Sequence, residues 1–297
     1  MWSNIFSDIN EGIRHLHVTL FGSFFEVPID RYQVDEDLYL RLLHYPAHNC
    51  PNVILVRGGV FHMSDDASYI KICCNELKDF RVFQMEKYTP LLNYEYAREL
   101  SKLIKFVKRM YPDNPVYVMG FSMGGIFTLS YLAMGYDEAD GYVSISAPMN
   151  FDYFNKVISN HFFYIQHKKK ITNMYGKDTI EDVIAMFGGD PHFNSSFMQS
   201  FEDNLCAHHQ KFGGKFISVV GSDDRLAKTF GKDCSKFQQP LATIEIEAGT
   251  HCCRDVILYG CACLRSWKNN PGLHSYKVIK KVADEYKVSG LFYGLNL

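Results

Sequence analysis

Residues 116–126 read VYVMGFSMGGI and place three glycines around one serine at the point where an apolar run ends. The run at residues 116–119 has the length and composition of a buried β-strand. Residues 123–134 are apolar enough for a buried helix, and a glycine follows them. Ser122 is therefore predicted to lie in a tight turn between a strand and a helix.

The glycines of this turn form a recognisable motif with the serine. Gly120, Ser122 and Gly124 match G-x-S-x-G, and a preceding strand and a following helix are the context that the motif requires. Such a sharp turn strains its corner residue, and glycine at the flanking positions avoids collisions with the backbone. Free N–H groups at the helix N-terminus favour a developing anion. The pattern predicts a nucleophilic serine, and the alternative is a serine that only caps the helix.

A serine nucleophile needs a base within hydrogen-bonding reach and an acid that orients the base. With this motif the acid and then a histidine follow along the chain, each just after a strand. Residues 216–224 read FISVVGSDD and residues 243–251 read TIEIEAGTH, which satisfies that order. We predict His251 as the base and Asp223 or Asp224 as the acid. The same aspartates are also ordinary turn formers.

Acyl transfer also requires two donors for the oxyanion of the tetrahedral intermediate. The backbone N–H of Met123, directly after the serine, is predicted to be the first. The second is expected in the loop after the third strand, where residues 53–61 read VILVRGGVF. The N–H of Gly59 or Val60 is the candidate there, although a glycine turn that merely ends a buried strand fits the same residues.

Composition excludes several classes of protein. The chain has 297 residues and a net charge of −2, so it offers no overall basic character for nucleic acid. It shows no signal-peptide pattern at its N-terminus and no long uncharged apolar window, so we expect neither secretion nor a membrane span. Nine cysteines without a signal sequence indicate reduced thiols and a cytoplasmic location.

Strand-like and helix-like segments alternate along the chain, which is typical of an α/β protein with a parallel sheet. An aromatic segment at residues 149–213 interrupts the alternation and is predicted to be a helical insertion between two parts of one core, residues 1–148 and 214–297. Strands are predicted at residues 15–29, 37–45, 53–56, 81–85, 116–119, 142–146, 216–220 and 243–247, and helices at residues 64–77, 93–111, 123–134 and 275–286.

A cluster of soft ligands follows the last predicted strand, since His251 is followed by Cys252, Cys253, Cys261 and Cys263. No C-x2-C spacing is present, and a metal on His251 would remove the base of the serine. We therefore expect no metal site and interpret the later cysteines as buried thiols of a helix.

These motifs resemble the α/β-hydrolase superfamily of serine hydrolases, which includes esterases, lipases and thioesterases. The resemblance is carried by Arg57-Gly58-Gly59, the G-x-S-x-G turn with Gly125, Gly221-Ser222-Asp223-Asp224 and Gly249-Thr250-His251. It implies the α/β-hydrolase fold, with a mainly parallel eight-stranded sheet flanked by helices, a helical lid inserted after the sixth strand, and no cofactor. It also implies a Ser–Asp–His triad whose acid lies three residues beyond the glycine, which favours Asp224 over Asp223.

Two features depart from the family pattern. Arg57 stands where members usually carry histidine, and the loop after the fourth strand, around residues 84–88, lacks a glycine-rich turn. The subfamily therefore stays unassigned.

The sequence predicts a serine hydrolase that cleaves a small carboxylic ester or thioester with an apolar portion, through an acyl-enzyme on Ser122. One alternative is an acyltransferase that passes the same acyl group to an alcohol or thiol. The other is a binding protein that keeps the fold without the activity.

Overall fold

A computed structural model describes residues 29–46, 49–57, 66–87, 93–147, 213–224, 242–286 and 292–293. These residues form one nine-stranded sheet with the order β1-β2-β4-β3-β5-β6-β7-β8-β9. The strands are β1 (Asp30–Gln33), β2 (Leu38–His44), β3 (Asn52–Val56), β4 (Arg81–Lys87), β5 (Val116–Phe121), β6 (Gly141–Ile145), β7 (Phe216–Gly221), β8 (Thr243–Ile246) and β9 (Phe292–Tyr293). The helices are α1 (Asp66–Glu76), α2 (Asn93–Met110), α3 (Met123–Ala133), α4 (Arg254–Asn269) and α5 (Ser275–Tyr286).

The centre of the sheet is parallel. Each neighbouring pair from β4 through β3, β5, β6 and β7 to β8 is parallel, whereas β1 and β2 at one edge and β9 at the other pair antiparallel. The predicted mainly parallel sheet is therefore confirmed. Because parallel strands point the same way, the turns that follow β3, β5, β6, β7 and β8 emerge at one edge of the sheet.

The central strands are buried on both faces of the sheet, which explains why their sequences are apolar runs that predict strands. All six residues of β5 are buried, and alternate side chains join different cores on the two faces of the sheet. Val116 and Val118 pack with α2 and α3, whereas Tyr117 and Met119 pack with α1, α4 and α5. A strand covered by helices on both faces is expected to be continuously apolar.

Most of the predicted elements agree with the structure to within about two residues. The main differences lie at the edges of the sheet. The strand predicted at residues 15–29 falls almost entirely outside the described residues, and neither β1 nor the two-residue β9 was predicted. β1 has four residues, three of them exposed, and therefore lacks an apolar signature. The predicted insertion at residues 149–213 also lies almost wholly outside the described residues.

In the described part of the chain, no helix is both long enough and apolar enough to cross a membrane.

Candidate active site

The turn between β5 and α3 places Ser122 in a strained conformation. Its backbone dihedrals are φ 51° and ψ −117°, a region that non-glycine residues rarely adopt. Its N–H donates to the carbonyl of Ile145 at the end of β6, over 2.8 Å. The strain predicted for this residue is thus present, and a backbone hydrogen bond to the neighbouring strand supports it.

Close backbone contacts explain the glycines on either side. A Cβ on Gly120 would lie 2.2 Å from the carbonyl oxygen of Gly124, and a Cβ on Gly124 would lie 2.2 Å from that of Val56. Neither contact leaves room for a side chain, because the obstructing atoms belong to the backbone. The turn can therefore form only with glycine at both positions.

The Ser122 side chain does not cap the helix that it precedes. It makes no capping hydrogen bond, and its Oγ lies 2.9 Å from Nε2 of His251. The interpretation of this serine as a helix cap is therefore wrong. Ser122 and His251 are separated by 129 positions in the sequence and meet because the turns after β5 and β8 emerge at the same edge.

The other ring nitrogen of His251 contacts a carboxylate. Nδ1 lies 3.0 Å from Oδ1 and 2.9 Å from Oδ2 of Asp224. The Asp224 side chain is fully buried, whereas that of His251 is 28% exposed. In the tautomer that fits both contacts, Nδ1–H donates to the carboxylate and Nε2 accepts from the serine hydroxyl. The structure thus brings Ser122, His251 and Asp224 into one chain of hydrogen bonds.

The neighbouring Asp223 lies elsewhere in the same turn. Its carboxylate contacts the hydroxyl of Ser222 at 3.5 Å, and its backbone N–H donates to the carbonyl of Gly249 at 2.9 Å. Among the described contacts of His251, the carboxylate is that of Asp224. This is the aspartate that the resemblance favoured.

The surroundings of His251 act in opposite directions on its pKa. Burial lowers the pKa, because it disfavours the charged imidazolium. Hydrogen bonding to Asp224, and then contact with Cys252, outweigh burial and raise the pKa to about 10. The site is therefore arranged to stabilise a proton on this ring.

The turns that carry Asp224 and His251 pack directly against each other. A Cβ on Gly221 would lie 2.1 Å from the carbonyl oxygen of Gly249, so the two backbones nearly touch. The Ser222 hydroxyl also accepts a hydrogen bond from the N–H of Ala248 over 2.8 Å. Asp224 and His251 are thus held together by the backbones of their turns as well as by their side chains.

The chain is similar in architecture to several solved structures. One is Est1E from Butyrivibrio proteoclasticus, with a TM-score of 0.52, 15% identity, and coverage of 79% of this chain and 96% of that one. Another is the esterase Pf2001 from Pyrococcus furiosus, with a TM-score of 0.53, 15% identity, and coverage of 88% and 94%. Est1E with ferulic acid bound gives a TM-score of 0.50 at 13% identity, covering 78% and 95%. The chain has the α/β-hydrolase fold.

Similarity at the level of sequence is much weaker than this structural likeness. No family model matches the chain, and no curated protein matches it with significant sequence similarity. The predicted α/β-hydrolase fold is therefore confirmed by the architecture of the chain.

The predicted oxyanion donors are described only in part. Met123 is the first residue of α3, where a backbone N–H has no acceptor within its own helix. Gly59 and Val60 lie outside the described residues, but the chain that leads to them does not. The Val56 carbonyl approaches Gly124 closely, so the loop after β3 begins beside the Ser122 turn.

The cysteines near His251 differ in exposure. Cys252 and Cys253 are half-buried, whereas Cys261 and Cys263 are buried in α4. The Sγ atom of Cys261 lies 4.0 Å from that of Cys73 on α1. Within the described ranges, no group of three or more histidine, cysteine or acidic side chains is placed to hold a metal ion.

Ser146, which follows β6 directly, was not among the site residues predicted from the sequence. This residue is fully buried, has φ 51°, and accepts a hydrogen bond on Oγ from the N–H of Cys252 over 3.1 Å. The partner is a backbone group, so no residue type in the sequence points to the contact. Its position at the end of the strand predicted at residues 142–146, on the same edge of the sheet as Ser122, was the available signal.

Proposed function

We propose that this protein is a serine hydrolase that cleaves a carboxylic ester or thioester through an acyl-enzyme on Ser122. The observation that carries the proposal is the distance of 2.9 Å between Ser122 Oγ and His251 Nε2, in a ring whose other nitrogen contacts Asp224. A serine whose only role is packing does not require a base positioned to accept its hydroxyl proton, whereas a nucleophile does.

Acylation follows from this arrangement. His251 removes the Ser122 proton while Oγ attacks the carbonyl carbon of the substrate, and the buried Asp224 carboxylate stabilises the resulting imidazolium. The imidazolium then gives its proton to the leaving alcohol or thiol. Ser122 is left carrying the acyl group.

Deacylation repeats these steps with water. His251 removes a proton from the water, which attacks the acyl carbonyl, and the proton returns to Ser122 Oγ as the acid departs. In both steps the carbonyl oxygen gains negative charge. We assign its stabilisation to the backbone N–H of Met123 together with that of Gly59 or Val60.

The substrate is proposed to be a small-molecule ester or thioester with an apolar portion. Est1E, which shares the fold, has been solved with ferulic acid bound, so esters of aromatic acids belong in the first assays beside aliphatic esters of increasing chain length. Concave binding sites are mostly apolar with a few placed polar groups, which favours such substrates.

A fluorophosphonate probe tests the proposal. Wild type is expected to be labelled covalently, with the adduct mapped to Ser122 by mass spectrometry, and Ser122→Ala is expected to stay unlabelled. Ser130→Ala is the matched control, because Ser130 is a buried serine of the same helix whose hydroxyl has no hydrogen-bond partner among the described residues. An unlabelled wild type with a cooperative unfolding transition would instead favour the non-catalytic binding protein.

Acyl transfer uses the same acyl-enzyme and differs only in the acceptor. Product analysis with added alcohols and thiols separates the two reactions. Free acid as the main product supports hydrolysis, whereas a dominant transfer product at low acceptor concentration assigns the protein as an acyltransferase.

A further inference from the structure

The carboxyl end of β6 contacts the segments that carry the proposed catalytic residues. The Ile145 carbonyl accepts the N–H of Ser122 over 2.8 Å. The next residue, Ser146, donates its own N–H over 2.8 Å to the carbonyl of Val219 on β7, the strand that leads to Asp224. Two consecutive residues of one strand end therefore hold the nucleophile turn and the acid-bearing strand.

The hydroxyl of Ser146 adds the third connection. Its Oγ accepts the N–H of Cys252 over 3.1 Å, and Cys252 directly follows His251 in the chain. Both linked residues have left-handed backbone conformations, with φ 51° at Ser146 and φ 48° at Cys252. Such conformations are costly for residues with a side chain and persist where the surrounding structure determines them.

We infer that Ser146 is a positioning residue of the active site, whose buried hydroxyl holds the turn bearing His251 at the distance from Ser122 that proton transfer requires. The inference rests on the proposed function, since it assigns a role within that same site.

The hydrogen bond of the Ser146 hydroxyl matters because of the two segments that it connects. The contacts between the turns after β7 and β8, from Asp223 to Gly249 and from Ala248 to Ser222, tie His251 to its acid. The Ser146 hydroxyl instead ties the histidine turn to the strand end that holds the nucleophile. Without that hydroxyl, the turn that bears His251 loses its direct link to this strand end, and the ring can shift away from Ser122 Oγ. A misplacement of about 1 Å in an active site can reduce the rate roughly 100-fold.

Ser146→Ala tests the inference, with Ser144→Ala as the matched control. Ser144 is a fully buried serine of β6, two residues before Ser146, and its hydroxyl has no hydrogen-bond partner in the described part of the chain. For Ser146→Ala we expect kcat to fall roughly 10- to 100-fold while KM stays within about twofold. The rate of inactivation by the fluorophosphonate is expected to fall in parallel, because it too needs the aligned base. Ser144→Ala should keep wild-type values.

A second substitution separates the hydroxyl from the strained backbone. Ser146→Gly lacks the hydroxyl but adopts φ 51° without a steric cost. If the hydroxyl positions His251, Ser146→Gly loses kcat to the same extent as Ser146→Ala even though its backbone is relaxed. Wild-type kcat in Ser146→Gly, or a change in KM alone, overturns the role of Ser146. This variant also decides the question if Ser146→Ala folds poorly.

The same experiment distinguishes the two proposals. A wild type that the probe does not label overturns the proposed function and the role of Ser146 with it. A labelled wild type whose Ser146 variants react at undiminished rates overturns the role of Ser146 alone.

Discussion

Two adjacent carboxylates follow β7, and they differ in what they face. Asp224 contacts Nδ1 of His251, whereas Asp223 contacts the hydroxyl of Ser222. We predict that Asp224→Asn lowers kcat roughly 1,000- to 10,000-fold, because an amide no longer stabilises the imidazolium or fixes the productive tautomer. Steady-state kinetics on the ester that wild type cleaves best provide the measurement.

The same substitution has a second, directional signature. The Asp224 carboxylate raises the pKa of His251, so the residual activity of Asp224→Asn should show an acid limb of kcat/KM at lower pH than wild type. Asp223→Asn is the control, because the hydrogen bond of Asp223 to Gly249 uses its backbone N–H and survives the substitution. It should stay within about threefold of wild type. A large loss in Asp223→Asn with an active Asp224→Asn would contradict the assignment.

At the scale of single residues, the sequence predicted those site residues that belong to a recognisable motif. Ser122 and His251 could be proposed because glycine spacing and strand ends mark their positions, and the structure brings them to 2.9 Å. Asp223 and Asp224 could not be separated by spacing alone, because the dihedrals of one turn decide which carboxylate faces the ring. The contact of Ser146 could not be predicted, because its hydroxyl accepts from a backbone N–H and no residue type in the sequence indicates such a partner. The catalytic roles of these residues stay predictions.

At the scale of elements, helix propensity and backbone contacts predict opposite effects on stability for a substitution in the strand–turn–helix around Ser122. Gly124 lies in α3, where helix propensity alone predicts that alanine stabilises by about 1 kcal/mol. The close contact with the Val56 carbonyl predicts the reverse. We expect Gly124→Ala to reduce the free energy of unfolding by about 3 kcal/mol or more, since backbone atoms cannot move aside cheaply. Urea denaturation measures the difference.

Gly272→Ala serves as the comparison for this prediction. Gly272 has φ +77° and no atom within 4 Å of an added Cβ, so alanine there carries only a conformational cost of about 1 to 2 kcal/mol. A Gly124→Ala variant as stable as wild type, with full activity, would show that the Ser122 turn tolerates a side chain that the structure excludes.

The elements differed in how well the sequence predicted them, and burial explains the difference. Strands covered on both faces, such as β3 and β5, are unbroken apolar runs and were predicted. Helix α5 was predicted with its observed bounds, because its buried residues recur at helical spacing. The short edge strands β1 and β9 depend on pairing with a neighbour rather than on their own composition. Such pairing is a tertiary effect that a local pattern does not record.

At the scale of the whole molecule, the topology of the sheet creates the site. The turns that carry Ser122, Asp224 and His251 lie far apart in the chain and emerge at one edge because β5, β7 and β8 run parallel. Alternating strand and helix signals were sufficient to predict a parallel sheet. They did not specify the distances at its edge, which follow from backbone contacts such as that between Gly221 and Gly249.

Protonation of the His251 ring affects both the stability of the folded molecule and its proposed activity. The pKa of His251 is raised from 6.5 to about 10 in the folded protein. Below pH 6.5 the ring is protonated in the folded and the unfolded chain, and the contact with Asp224 contributes its full stabilisation. Above pH 6.5 the unfolded chain has released a proton that the native state still holds. The contribution therefore declines with rising pH and is lost above the folded pKa.

We therefore predict that the stability advantage of wild type over His251→Gln shrinks as the pH rises from 6.5 towards 10. Free energies of unfolding from urea titrations at several pH values measure this difference, and ionisations of groups that do not contact His251 cancel between the two proteins. Over the same range kcat/KM should rise, because the base must be neutral to take the proton of Ser122. An advantage that stays constant or grows would contradict the raised pKa. Stability and catalysis are thus expected to respond to pH in opposite directions, since the proton that strengthens the contact between His251 and Asp224 is the one that catalysis requires to be absent.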